Sequence, residues 1–360
     1  MNCGLNLKPT GSLDLLSLGA LVHRLDPGTV PFRKATECKI HVSGGEYNVA
    51  ANLADCFRLN TGIATAMADY PIGDLIAERV RAMGVKPFYK HFAHNGVNGP
   101  NMATVYSDRG YGVRAPVVFY NRSNEAAALL KPGDFDWKSI FAEGIRWFHS
   151  GGIFAALSET TGQVIIEAMK AAKAAGAVTS FDLNFRAKLW KWGKQAGEVM
   201  TELVSLCDVA VGNEEDAEKV FGIKAAGADV TGGKVDAASY RQVCETLVER
   251  FPNLKTVAIT LRGSLSASHN TWSGVLYHHG AFYDGPAFDI VPIVDRVGGG
   301  DSFCGGLIYG LLVYGDPQKA IDFAVAASCL KHTIHGDFNL VRVAEVEKLM
   351  GGDASGRVSR

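Results

Sequence analysis

The stretch DRVGGGDSFCGG, residues 295–306, places a carboxylate directly after three consecutive glycines. The run IVPIVD before it predicts a strand, and DSFCGGLIYGLLVYG after it predicts a helix that ends at Gly315. Gly298, Gly299 and Gly300 therefore lie at a strand-to-helix junction, where free N–H groups and the helix dipole favour an anion. Asp301 would repel a phosphate there unless it accepts the proton of a hydroxyl that attacks a phosphoryl group. The alternative is that Asp301 only caps the helix and the glycines only turn the chain.

Two common phosphate-binding patterns are absent from the sequence. A dinucleotide-binding fold needs G-x-G-x-x-G after its first strand, whereas LSLGALVHRL contains one glycine. The pattern G-x-x-x-x-G-K-[ST] does not occur in the chain. If the protein binds phosphate, a different cradle must hold it.

Four segments together resemble the signatures of one enzyme family. VDRVGGGDSFCGGLIYGLL is similar to the C-terminal signature D-T-x-G-A-G-D of the ribokinase-like (PfkB) carbohydrate kinases, and GGEYNVAANLA (44–54) to their N-terminal signature G-G-x-x-x-N-x-A. VGNEEDA resembles their N-x-x-E segment, and ITLRGS resembles the strand-and-glycine element beside the nucleotide. The segments occur in the family's order and span nearly the whole chain.

This resemblance implies ATP and Mg²⁺ as cofactors and a role for each matching residue. Asp301 would be the catalytic base, and Gly298, Gly299 and Gly300 would form the anion hole. Asp216 would organise the magnesium ion indirectly. The residues implied for nucleotide binding are Asn213, Thr260, Arg262 and Gly263.

Three further segments are most similar to those of 2-keto-3-deoxygluconate kinases within the family. VVFYNR (117–122) resembles their Tyr-x-Arg lid strand, FDLNFRAKLW (181–190) their D-x-N-[YF]-R-x-x-L-W segment, and HGDF (335–338) supplies a late aspartate. The resemblance implies ATP-dependent phosphorylation of 2-keto-3-deoxygluconate on its primary 6-hydroxyl. The residues implied for the sugar-acid site are Gly45, Asn48, Tyr106, Tyr120, Arg122, Arg186 and Asp337.

The two arginines in this set favour a sugar acid over a neutral sugar. A guanidinium fork binds a carboxylate well, and a neutral sugar would not require Arg122 and Arg186. Surface salt bridges are the alternative for both arginines, and cross-strand packing is the alternative for Tyr106 and Tyr120. A fructokinase or other sugar kinase of the family stays open, as does a non-catalytic sugar or nucleotide sensor on the same fold.

The sequence departs from the family pattern at several positions. Arg296 replaces the usual Thr, Gly299 replaces Ala, and Asp216 replaces the Glu of N-x-x-E. The segment LGALVHRLDP lacks the acid often found just after the first strand, and Asp26 comes later and could stand in for it. Arg296 could point to solvent, pair with an acid or contact the nucleotide phosphates.

The elements that must position these residues follow an alternating pattern. Strand-like runs such as LDLLSLGALV (13–22) and TVAITL (256–261) alternate with helical patterns such as SETTGQVIIEAMKAAKAAG. This alternation predicts an α/β fold with a doubly wound, mostly parallel sheet. The family resemblance implies a single ribokinase-like kinase domain over residues 1–360. Strand-like runs without intervening helices predict a small antiparallel β lid from residues 36–45 and 101–122. The Gly-rich stretch 224–237 reads as a surface loop.

Composition excludes several classes of protein. The formal net charge is −1, so no basic excess indicates a nucleic-acid or membrane partner. The 7 cysteines form no C-x-x-C pair, and the N-terminus shows no signal-peptide pattern, so a cytoplasmic protein is expected. Because lid strands have open edges, we expect a homo-oligomer, with a dimer formed through the lid.

Overall fold

The computed structural model describes residues 4–213, 215–225 and 237–355. Within these residues two sheets are formed by the strands β1 (Leu15–Leu18), β2 (Val22–Asp26), β3 (Lys39–Ser43), β4 (Thr61–Asp69), β5 (Val85–Ala93), β6 (Ala103–Ser107), β7 (Val118–Asn121), β8 (Trp147–Gly151), β9 (Val178–Asp182), β10 (Val209–Asn213), β11 (Thr256–Ser266), β12 (His269–His278), β13 (Ala281–Asp284) and β14 (Phe288–Ile290). The α-helices are α1 (Gly45–Ala51), α2 (Pro71–Ala82), α3 (Trp137–Ala142), α4 (Gly152–Ala155), α5 (Glu159–Ala174), α6 (Ala196–Val204), α7 (Asp216–Phe221), α8 (Ala237–Arg250), α9 (Gly299–Val313), α10 (Pro317–Lys331) and α11 (Val343–Met350).

The main sheet has the strand order β13-β12-β11-β10-β9-β8-β1-β4-β5, and β14 pairs with β12. Every pair from β11 to β5 is parallel, while β12, β13 and β14 are joined by antiparallel pairs. Every residue of β1 and β8 is buried, as expected of parallel strands that helices cover on both faces. The α/β fold with a mostly parallel sheet is therefore confirmed.

The order of the parallel strands reverses at β1. The chain moves from β1 to β4 and β5 in one direction, and from β8 to β9, β10 and β11 in the other. Because parallel crossovers are right-handed, the reversal puts the connecting helices on opposite faces of the sheet. Such a switch point opens a crevice at the carboxyl ends of the neighbouring strands, where ligands of α/β proteins bind.

The second sheet is the lid, with the order β3-β2-β6-β7. Strands β3, β6 and β7 lie inside the predicted ranges, but β2 was not predicted as a lid strand, and its pairing with β6 is parallel. The predicted range 36–45 also ends too late, because Gly45 begins α1. The residues between β6 and β7 are a connection rather than strand.

Glycines let helix α9 pack closely on its neighbours. A Cβ on Gly306 or Gly310 would lie 2.8 or 2.5 Å from the backbone of Ala324 or Ala320 in α10. Asp316 caps α10 by accepting a hydrogen bond from the Lys319 N–H at 3.1 Å, with Pro317 in the first turn. These contacts fix the helix whose N-terminus carries Asp301.

Two further sequence predictions concern a surface loop and membrane-spanning helices. Most of the predicted loop 224–237 lies outside the described residues. Among the described helices, no helix is both long and apolar enough to cross a bilayer.

Candidate active site

A cavity of about 310 Å³ opens between the carboxyl edge of the main sheet, the N-terminus of α9 and the inner face of the lid. It meets the crevice expected at the β1 switch point. A groove of about 450 Å³ shares Arg186, Asn213, Asp216 and Arg262 with the cavity and extends outward from it. The shared residues place the groove directly beside the cavity.

The glycine triplet forms one wall of the cavity, and each glycine is required for a different reason. Gly298 has φ +78° and caps α9, and a Cβ there would collide with the Asp337 carbonyl. A Cβ on Gly299 would lie 2.7 Å from the His332 ring. Nothing lies within 4 Å of a Cβ on Gly300, so a side chain there would fill the open space before the helix N-terminus. This open cradle of N–H groups fits an anion such as a phosphate.

Asp301 lies in the first turn of α9, beside this cradle, and lines the cavity. Its Oδ2 accepts a hydrogen bond of 2.7 Å from Asn48 Nδ2, which fixes the orientation of the carboxylate. Burial raises the pKa of Asp301 to about 6, against the opposing effects of Asn48 and the Arg186 charge. The carboxylate is therefore mostly ionised at neutral pH, and it is a better proton acceptor than an exposed Asp.

The predicted nucleotide residues meet at the carboxyl ends of β10 and β11. Asn213, Thr260 and Arg262 line the cavity, whereas Gly263 does not. Asp216 accepts backbone hydrogen bonds from Asn213 at 2.9 Å and from Phe185 at 3.0 Å. It therefore joins the ends of β9 and β10, the two strands that carry much of the site.

Asp216 does not have a ready-made metal cluster around it. In the part of the chain that the structure describes, no group of three or more His, Cys, Asp or Glu side chains could hold a metal ion. Burial raises the pKa of Asp216, while its backbone hydrogen bonds and Arg186 oppose that shift. A magnesium ion at this place would fit only with most of its ligands from water and phosphate, which suits its preference.

The lid contributes its inner face to the cavity. Across that face the register aligns His41, Arg24, Val105 and Tyr120, and all but His41 line the cavity. Tyr106 lies one residue away in β6, so its side chain points to the outer face. There its ring stacks on Phe119 with centroids 4.7 Å apart. The prediction that Tyr106 lines the sugar site is therefore not supported by its position, whereas Tyr120 lies in the wall.

The two predicted arginines differ in their surroundings. Arg122 lines the cavity, but its Nη1 donates to both oxygens of buried Glu125, at 3.0 and 2.8 Å. Arg186 also lines the cavity, and its Nη1 donates to the Phe185 carbonyl at 2.9 Å. Among the described residues, no carboxylate lies within ion-pair distance of Arg186. Arg186 therefore presents the less compensated positive charge to a substrate.

Arg24 of β2 is a cavity residue that sequence reasoning missed. It is 1% exposed, its Nε donates to Asp337 at 2.8 and 3.1 Å, and its Nη2 donates to Asp295 at 2.8 Å. Lys331, also fully buried, donates to the carbonyls of Asp295 and Ile334 at 3.1 and 3.2 Å. The two ion pairs of Arg24 connect the lid to the segments before and after the glycine cradle. One of them engages Asp337, which the sequence predicted to bind the sugar.

A second unexpected acid is Glu46 of α1, which is 4% exposed and lines the cavity. Its carboxyl group lies against Gly19 and Gly151, and a Cβ on Gly151 would be 2.9 Å from Oε1. Burial raises the pKa of Glu46 to about 7, and the nearby Asp301 charge adds to the shift. Glu46 thus fills the space beyond β1 where the family resemblance expects an acid.

Asp26, the residue considered for that place, does not line the cavity. It accepts a hydrogen bond of 2.6 Å from the Gly28 N–H and forms an ion pair with Arg109 at 3.4 Å. Asp182 at the end of β9 does line the cavity, and burial raises its pKa well above the usual value, with Asp216 and Asp301 adding to it. Several carboxyl groups of different basicity therefore surround the space before Asp301.

Comparisons with known proteins agree with this geometry. The family model described as pfkB family carbohydrate kinase matches residues 16–342. A 2-dehydro-3-deoxygalactonokinase of Haloferax volcanii is 29% identical over 95% of this chain and 98% of its own. The crystal structure of a 2-dehydro-3-deoxygluconokinase of Thermotoga maritima has a TM-score of 0.87 and 37% identity, over 94% of this chain and all of that one. A 2-dehydro-3-deoxygluconokinase of Thermoproteus tenax is 25% identical over 90% of each chain.

The match covers all the segments that build the cavity, from β1 to the approach to α11. It includes the glycine cradle, Asp301 and the lid strands, in the same order along the chain. The protein belongs to the pfkB family of carbohydrate kinases, which are phosphotransferases with an alcohol acceptor.

Proposed function

We propose that this kinase phosphorylates 2-keto-3-deoxygluconate on its primary 6-hydroxyl, with ATP as the phosphoryl donor. The observation that carries the proposal is the position of Arg186, a cavity guanidinium with no acid partner among the described residues. A carboxylate on the substrate would neutralise the Arg186 charge and accept charge-assisted hydrogen bonds from its guanidinium. The relatives named above act on the gluconate and galactonate forms of such a keto-deoxy acid, which supports the substrate class.

The residues around the cavity account for the chemistry of the transfer. Asp301 accepts the proton of the attacking hydroxyl, and Asn48 holds its carboxylate in place. The N–H groups of residues 298–301 stabilise negative charge on the transferred group. ATP would supply the phosphoryl group, and Asp216 would hold, through water, a Mg²⁺ ion that offsets the charge of the phosphates. Tyr120 and Val105 of the lid cover the cavity and limit access of water.

The charge of Arg186 can be tested with two substrates in parallel. In Arg186→Gln the KM for 2-keto-3-deoxygluconate should rise about ten- to a hundredfold, since one charge-assisted interaction is lost. The KM for fructose, which has no carboxylate, should change less than about threefold. Lys191→Gln, an exposed cation on the same segment, is the matched control and should leave both constants unchanged. Equal rises for both sugars would contradict recognition of a carboxylate by Arg186.

One observation favours the alternative of a fructokinase or another neutral-sugar kinase. Glu125 already compensates the charge of Arg122, so of the two arginines that the sequence suggested for a sugar acid, Arg186 alone has no carboxylate partner among the described residues. A neutral sugar would bind through the same carboxyl and amide groups. High activity of the unmodified protein with fructose and none with the keto-deoxy acid would establish that alternative.

We also propose that the outer face of the lid pairs with a second copy of the chain. The register aligns Ile40, Leu25, Tyr106 and Phe119 across that face, and Ile40 and Phe119 are 50% and 41% exposed. Such an apolar row on a sheet with two open edges favours association. Light scattering after size exclusion should show a dimer, and Phe119→Glu should give a monomer, whereas the exposed Leu129→Glu outside the lid should stay dimeric. A monomeric unmodified protein would contradict the proposal.

A further inference from the structure

Arg296 lies in the cavity wall, two residues before the glycine cradle. Its Nη2 donates to the carbonyls of Ser266 and Ala267, at 3.1 and 2.7 Å. Both carbonyls belong to the end of β11 and the turn that follows it. The guanidinium is therefore held at a fixed place beside the nucleotide side of the cavity, and it does not point to solvent.

The acids that the structure describes leave this anchored guanidinium without a partner. Among the described residues, no carboxylate lies within ion-pair distance of Arg296. The adjacent Asp295 already accepts hydrogen bonds from Arg24 Nη2 at 2.8 Å and from the Gly336 and Val297 N–H groups at 3.2 and 3.1 Å. The Nε of Arg296 is buried and has no hydrogen-bond partner. A buried, unsatisfied donor on a cation is costly unless a ligand completes it.

A second positive charge lies close by. Arg262 of β11 lines both the cavity and the outer groove, and its charge and that of Arg296 are near enough to repel. Burial lowers the pKa of Arg296, and the charge of Arg262 adds to this effect. The repulsion between the two guanidiniums, beside a helix N-terminus, favours negative charge at this end of the cavity. An anion with more than one negative charge is the ligand that best relieves it.

We propose that Arg296 binds the phosphate chain of the nucleotide, in concert with the glycine cradle and Arg262. The proposal rests on the proposed use of ATP but not on the identity of the sugar. A planar guanidinium with its Nη2 fixed by carbonyls offers its remaining N–H groups in a set direction, which suits the oxygens of a di- or triphosphate. Arg296 therefore selects nucleotides by the length of their phosphate chain rather than by their base.

Calorimetric binding without any sugar tests this role independently of activity. The ligands are ADP, AMP and inorganic tripolyphosphate, each with the unmodified protein, Arg296→Thr and Arg296→Lys. Arg296→Thr should weaken binding of ADP and tripolyphosphate about ten- to a hundredfold, as expected for loss of a charge-assisted contact, and AMP less than about threefold. The affinities of Arg296→Lys for ADP and tripolyphosphate should lie between those of the unmodified protein and Arg296→Thr, because Lys keeps the positive charge but lacks the planar guanidinium.

Two comparisons keep the result interpretable. Arg81→Thr removes a guanidinium from the exposed face of α2 and should leave all three affinities unchanged. The thermal midpoint of Arg296→Thr, measured with no ligand, shows whether loss of the contacts to Ser266 and Ala267 unfolds the site. ADP and tripolyphosphate affinities within about twofold of the unmodified protein would overturn the proposal. An equal loss of AMP affinity would overturn it too, since that pattern indicates a general disturbance of the nucleotide site. Failure to phosphorylate any keto-deoxy acid would refute the proposed substrate and leave this binding result standing.

Discussion

Replacement of Asp301 by Asn is expected to lower kcat by at least about a hundredfold, within the range of general-base contributions. Asn has nearly the shape of Asp, and its amide oxygen can still accept the hydrogen bond that Asn48 Nδ2 donates. It cannot take a proton from the attacking hydroxyl. The loss should therefore fall on turnover, while the dissociation constants of ADP and the sugar acid change little.

The pH dependence of activity in the unmodified enzyme should also show the ionisation of Asp301. Because the pKa of Asp301 is raised to about 6, the base is ionised above that pH and is lost as the pH falls through it. The value of kcat/KM should decline below about pH 6. Asp353→Asn, at an exposed carboxylate near the C-terminus, is the control and should keep full activity. Near-normal turnover of Asp301→Asn would remove Asp301 from the role of base.

The second large effect is expected on stability, at Arg24. Arg24→Met keeps much of the side-chain volume but leaves Asp337 and Asp295 buried without their cation. Breaking a buried ion pair from one side costs about 3–5 kcal/mol, because the remaining charges are uncompensated. The free energy of unfolding from urea titrations should fall by that amount, with the exposed Arg81→Met as the control.

The sign of the pH effect in this variant follows from the carboxylates. Burial by itself raises the pKa of Asp26. Hydrogen bonds with His41 and the Gly28 N–H, and the charges of Arg24 and Arg109, outweigh burial and lower that pKa to about 2. In the unmodified protein, its stabilising contribution is complete above the unfolded value near 4 and is lost as the pH falls towards 2. In Arg24→Met the pKa of Asp26 should lie closer to the unfolded value, so the part of the stability deficit that Asp26 carries should shrink as the pH falls from 4 towards 2. A deficit below about 1 kcal/mol at pH 7 would show that Arg24 is not the centre of this network.

The features that local sequence could predict are those that depend on local geometry. The glycine triplet, the helix predicted from Asp301 onward and the cap at Asp316 each involve residues within a few positions of one another. The alternation of strands and helices, which defines the fold class, depends on short periodic runs in the same way. The fold class, the helix after the glycines and the cap at Asp316 were confirmed, but α9 begins at Gly299, and of the predicted strand IVPIVD only Ile290 belongs to a strand, β14.

The contacts that the sequence did not predict join distant segments. Arg24 meets Asp295 and Asp337 across 271 and 313 residues, and nothing in LVHRLDP indicates a strand that carries a buried arginine. Glu46 lies against Gly19 and Gly151, so its burial depends on the packing of α1 over two strands. No local sequence pattern indicates the ion pairs of Arg24 or the burial of Glu46.

The position of Tyr106 shows that a shift of one residue along a strand decides whether a side chain faces the cavity. Tyr120 pairs with Val105, and Tyr106 pairs with Phe119, so the two tyrosines lie on opposite faces of the lid. A sequence that matches a lid strand does not state which of two adjacent side chains faces the substrate. That information comes from the pairing of β6 with β2 and β7.

ADP release with a panel of substrates shows whether this protein phosphorylates a carboxylate-bearing sugar. The unmodified protein, with ATP and Mg²⁺, is assayed with 2-keto-3-deoxygluconate, 2-keto-3-deoxygalactonate and fructose. We expect a kcat/KM for 2-keto-3-deoxygluconate at least about tenfold above that for fructose, because fructose lacks the carboxylate that would contact Arg186. ADP release with fructose alone, or with none of the three, would contradict it.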